Sequence, residues 1–182
     1  MGQHRRNKEA IAQIQQGLAE SRAVGVELWR PYFLCLLAEA CMETGRLNDG
    51  LSALTEALAA ADQHEARAFE AESHRLQGEL LLRRQAERTG AEQTSLRGAS
   101  GIDQSNAHEA RRCFERAIEI ARNQKAKSFE LRATTSLARL LVKQGRREEA
   151  HRMLGEIYNW FTEGFDTADL KDAKELLDEL NR

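Results

Sequence analysis

The chain has 182 residues, 41% hydrophobic and 31% charged, with a formal net charge of −2. That balance supports one core under a solvated surface. The charge argues against a general nucleic-acid binder, which would carry a clear basic excess. A single proline and 5% aromatic residues accompany abundant Ala, Leu, Glu, Arg and Gln, side chains that lose little rotamer freedom in a helix.

The first expected element is a helix over residues 8–23, with Ala10, Ile14, Gly17 and Leu18 spaced as a small residue, a large one four later, and a pair beyond. The spacing returns at Gly50, Leu54, Ala57 and Leu58, at Ala110, Phe114, Ala117 and Ile118, and at Ala150, Leu154, Ile157 and Tyr158. Starts at 10, 50, 110 and 150 differ by 40, 60 and 40 residues, so a helical unit of 40 residues repeats along the chain. Each copy after the first is preceded by a second kind of helix that repeats in step. Leu34, Leu37, Ala38, Cys41 and Gly45 match Thr134, Leu137, Ala138, Leu141 and Gly145, and the middle copy is His74, Gln77, Gly78 and Leu81. Trp29, Phe69 and Phe129 precede the three copies.

The units are therefore a half repeat at 8–23 and helical hairpins at 28–63, 66–123 and 126–161. Small residues at Ala38, Gly78 and Ala138 let the two helices of a hairpin approach, and Gly45 and Gly145 close the first helix, because glycine tolerates the left-handed conformation. A single hairpin cannot bury its own apolar face, so neighbours stack. The surplus in the 60-residue spacing falls in 87–105, rich in Gly, Ser, Thr and charge, and reads as a mobile loop joining two helices. In the half repeat, Ile11, Ile14 and Leu18 would form a partly uncovered face able to support a homodimer. Gly164 is expected to stop the last hairpin. A capping helix follows at 167–181, with Leu170, Ala173, Leu176, Leu177 and Leu180 as its apolar stripe.

This pattern resembles the tetratricopeptide repeat, whose small-x₃-large signature stands unaltered at Ala110 and Phe114. Departures are Leu34, His74 and Thr134 where the family has tryptophan, the lack of a terminal proline, and a unit longer than the usual ~34 residues. The resemblance implies an all-α, right-handed α-α superhelix of about eight helices. The stretches 158–173, 124–133 and 30–34 are similar to the C-terminal regions of bacterial proteins that join a class III nucleotide cyclase domain, an AAA-type ATPase and tetratricopeptide repeats. That likeness implies a sensor or scaffold part of a signalling or transcriptional regulator. Its partner would be a protein or peptide, or neighbouring domains of a parent chain. The alternative is a packing or self-association domain with no separate ligand.

By the same resemblance the first helix of each pair lines an inner groove. Its lining would be Tyr32, Cys35, Glu39, Met42 and Glu43, then Glu72, Arg75, Glu79, Leu82 and Arg83, then Arg132, Thr135, Arg139, Val142 and Lys143. The groove would run from acidic at the N-terminal end to basic at the C-terminal end.

No catalytic, metal or cofactor site is expected. The five histidines, 4, 64, 74, 108 and 151, form no H-E-x-x-H, no Cys/His set has zinc spacing, and no phosphate loop occurs. His74 falls on an inter-helix face and reads as a packed core residue. Cys35, Cys41 and Cys113 lie inside expected helices without C-x-x-C spacing, as reduced thiols would in the cytoplasm. No apolar run reaches the ~18 residues of a membrane span, and residues 1–9 lead into no signal core.

Overall fold

The computed structural model describes residues 2–25, 27–63, 67–94 and 104–182. Among them every regular element is helical: α1 (Gly2–Ala23), α2 (Arg30–Glu43), α3 (Leu47–Gln63), α4 (Glu70–Thr94), α5 (Gln104–Asn123), α6 (Lys127–Lys143), α7 (Arg147–Tyr158) and α8 (Ala168–Leu180), with a single 3-10 turn at Arg67–Phe69. None of the described helices is long and apolar enough to cross a membrane.

Each helix packs on the next in the chain. The first helices also meet one another, α2 with α4, α4 with α6 and α6 with α8, while α1, α3, α5 and α7 make no such mutual contact among the described residues. The result is an all-α solenoid with α2, α4, α6 and α8 side by side as one layer and the second helices splayed as the other. α8 holds the position a further first helix would occupy, and its Leu170, Ala173, Leu176 and Leu180 join the core of the last hairpin.

Hairpin packing follows the small residues. A side chain on Gly50 would stand 3.4 Å from the Ala38 carbonyl oxygen and 3.0 Å from Leu80, so backbone meets backbone there. In the next hairpin the space over Gly78 is filled by the fully buried ring of Phe114, 2.5 Å from where a Cβ would sit.

The turns inside the outer hairpins are alike. Gly45 (φ 73°) and Gly145 (φ 76°) are left-handed. The next amide in each case, Arg46 or Arg146, donates to the carbonyl oxygen of Cys41 or Leu141, both at 2.9 Å. α5 closes in the same way, but on Lys125 (φ 57°), and Ala126 donates to the Ala121 carbonyl. A side chain is strained in this conformation, and the residue one hundred positions earlier is Gly25 (φ 74°). Lys125→Gly is therefore expected to stabilise the chain by about 0.5–1 kcal/mol, read as a melting temperature a few degrees higher.

Thr134 is 2% exposed, and its hydroxyl has no hydrogen-bond partner. An unmet buried hydroxyl costs about 1–3 kcal/mol. Thr134→Val, similar in shape, should raise the urea midpoint; a lower midpoint would mean that the hydroxyl is satisfied.

Three sequence expectations need correction. α4 continues to Thr94, into the segment expected as a loop, and α5 begins at Gln104; residues 95–103 lie outside the described residues. Glu, Arg, Ala and Gln are good helix formers, and together they outweigh one Gly and two Thr in 87–94. Ile11 and Leu18 are not an open face but are buried, 2% and 8% exposed, on the side of α1 that packs against α2. α7 ends at Tyr158, six residues ahead of Gly164 (φ 78°), which shapes the turn into α8.

Candidate functional site: the inner face of the first helices

The candidate groove residues fall on the layer formed by α2, α4 and α6, and the structure links most of them in one charged lattice. Its centre is Glu72, 4% exposed. Arg75 binds it with two parallel bonds, Nε to Oε2 at 3.0 Å and Nη2 to Oε1 at 2.6 Å. Arg132 reaches across from α6 to the same carboxylate at 2.9 Å. Glu39 of α2 stands 3.7 Å from Arg75 and 3.4 Å from Arg132, and Glu79 lies 4.0 Å from Arg75. Further along, Arg83 of α4 donates to the Met42 carbonyl at 3.2 Å and to Glu43 at 3.3 Å. Paired, fork-shaped contacts of this kind fix geometry as well as charge. Burial works against the Arg75 guanidinium, but the hydrogen bonds and charge of Glu72 outweigh it and hold its pKa above the ordinary value.

α8 supplies two carboxylates that the sequence reading did not place in the groove. Asp172 pairs with Arg139, and Asp169 approaches Arg132 at 3.7 Å. The hydrogen bond from Arg139 to Asp172 raises the guanidinium pKa. The groove is therefore not basic at its C-terminal end: the capping helix neutralises the arginines there, and Lys143 remains as an exposed cation. Arg75, Glu79, Arg132, Thr135, Ser136, Arg139, Asp169 and Asp172 together line a polar cleft of about 150 Å³.

Other expected lining residues take different roles. Cys35 is buried, with its sulfur 3.3 Å from the Ser73 hydroxyl, and Thr135 donates back to the Leu131 carbonyl at 2.9 Å. Met42, Leu82 and Val142 pack half-buried on the core. Tyr32 joins a line of rings along the start of the first helices, 5.0 Å from Phe69, which is 5.9 Å from Phe129.

Burial acts on the three thiols and on His74. The Cys35 thiol is pushed up to about 12 and the Cys113 thiol to about 11, so neither is a ready nucleophile. His74 is half-buried, and desolvation lowers its pKa. The three cysteines are unpaired.

The sequence carried no signal for the lattice partners Asp169 and Asp172 other than their three-residue spacing at the start of α8, which places both on one helix face. No family model matches this chain, and no curated protein matches it in sequence.

Proposed function

We propose that the chain is a non-catalytic protein-interaction module of the tetratricopeptide kind, the sensor or scaffold part of a larger bacterial cyclase or ATPase signalling protein. The observation that carries the interaction reading is the lattice on the inner face. Four adjacent first helices hold carboxylates and guanidinium groups in fixed positions around a polar cleft. Such a surface loses little side-chain freedom on binding, which favours recognition of a polypeptide. Its mixed sign suits a partner that bears both charges and backbone polar groups. The parent protein rests on the sequence resemblance alone.

The completeness of the lattice favours a second reading. Arg75, Arg132 and Arg139 already have carboxylate partners within the chain, as expected of a domain that only packs against its neighbours or against itself.

Photo-crosslinking separates the two. Benzoylphenylalanine in place of Glu79, in the groove, is compared with the same residue in place of the exposed Arg152 of α7, in cells expressing the protein from its native gene. A discrete heterologous adduct at position 79 and none at 152 supports the interaction module. Adducts within the chain or between two copies support packing, and no adduct at 79 removes the groove from consideration.

A further inference from the structure

The lattice on the inner face carries more negative charge than positive. Five carboxylates, those of Glu39, Glu72, Glu79, Asp169 and Asp172, share the guanidinium groups of Arg75, Arg132 and Arg139. The arginines are engaged. Arg75 gives its fork to Glu72, Arg132 donates to Glu39 and pairs with Glu72, and Arg139 donates to Oδ1 of Asp172. The carboxylates are not all matched. Among the described residues, Glu79 and Asp169 accept no hydrogen bond, and the cations nearest to them stand at 4.0 and 3.7 Å. Oδ2 of Asp172 has no donor among the described residues either.

These unmatched groups line one cleft. Glu79 belongs to its α4 side, Asp169 and Asp172 to its α8 side, and residues of α6 lie between. α8 is fastened by its leucines in the core of the last hairpin, so its carboxylates are held in place before any ligand arrives, which lowers the entropic cost of binding.

We propose that the cleft takes the guanidinium group of an arginine side chain from the partner polypeptide. The proposal rests on the inner face being the interaction surface and adds what that surface selects. A carboxylate, from an acidic side chain or a chain terminus, would be repelled by Glu79 and Asp169, while the arginine charges are already balanced. At about 150 Å³ the cleft admits one side-chain head and no helix. Arginine rather than lysine follows from where the acceptors lie. They stand on two sides, and a planar guanidinium offers donors along its edges to both, whereas an ammonium is a compact, strongly hydrated charge. Asp169 and Asp172 supply the grip, and Glu79 closes the opposite wall.

The test titrates the full chain with N-acetylarginine amide, N-acetyllysine amide and N-acetylglutamine amide at constant ionic strength, and follows the arginine Nε–Hε resonances by NMR. The arginine amide should give saturable shifts at Arg132 and Arg139 and none at Arg116, exposed on α5. The lysine amide should bind several-fold more weakly and the glutamine amide not at all. Asp169→Asn should weaken the arginine response about tenfold with the melting temperature nearly unchanged. Glu156→Gln, on the exposed side of α7, should leave the response as it was. Equal responses to arginine and lysine, shifts that do not saturate, or a response that survives Asp169→Asn overturns the proposal. A partner segment crosslinked at position 79 that contains no arginine overturns it as well, and in that case the interaction module itself still stands.

Discussion

Gly78→Ala should destabilise the chain by about 2 kcal/mol, although in most helix interiors the same change is favourable. A methyl at this position would meet three ring carbons of Phe114 at 2.5–2.9 Å. The ring cannot retreat, because Phe114 is fully buried in the core shared by α4 to α8. The other hairpins indicate the remedy. Their equivalent pairs are Ala38 with Leu54 and Ala138 with Leu154, every member buried, so the larger small residue accompanies the smaller large one. Phe114→Leu alone should cost about 1 kcal/mol through the space it leaves. In the Gly78→Ala background it should instead recover much of the loss, giving an interaction energy of opposite sign to the single effects. Urea unfolding of the four proteins measures this directly. Additive losses would show that Gly78 and Phe114 do not share one volume.

The second large effect lies at the other end. Leu170→Ala and Leu176→Ala should each cost about 2–4 kcal/mol, since both are almost fully buried at 3% and 6% exposure. Asp172→Asn should cost less than about 1 kcal/mol, because Arg139 and Asp172 are 47% and 45% exposed and water already screens their pair. The comparison decides what holds α8: its apolar stripe fastens the helix, and its carboxylates set the charge of the groove. Deleting residues 169–182 should exceed either leucine variant and increase amide exchange in α6 and α7, the helices α8 covers. A deletion that left exchange there unchanged would show that α8 is not a cap.

The repeat was legible because it is carried by invariant spacing. Ala10, Gly50, Ala110 and Ala150 recur with their large partners four residues on, and Gly45 and Gly145 punctuate the same turn. The charged lattice was not legible. Arg132 reaches Glu39 across 93 residues and Asp169 across 37, and surface charges bear no periodic mark that identifies their partners. The reading of a basic C-terminal groove failed for that reason, since it counted the charges of three first helices and missed that α8 serves as a fourth. Lys125 was hidden in another way: nothing about a lysine announces a left-handed backbone, and only its alignment with Gly25 could have suggested one.

The two layers of this solenoid also differ mechanically. The first helices touch one another, while α3, α5 and α7 keep clear of one another. Each second helix is wedged between its own first helix and the first helix of the next unit, so neighbouring units are keyed together through both layers. Prising two units apart therefore means parting a first helix both from its first-helix neighbour and from the second helix before it.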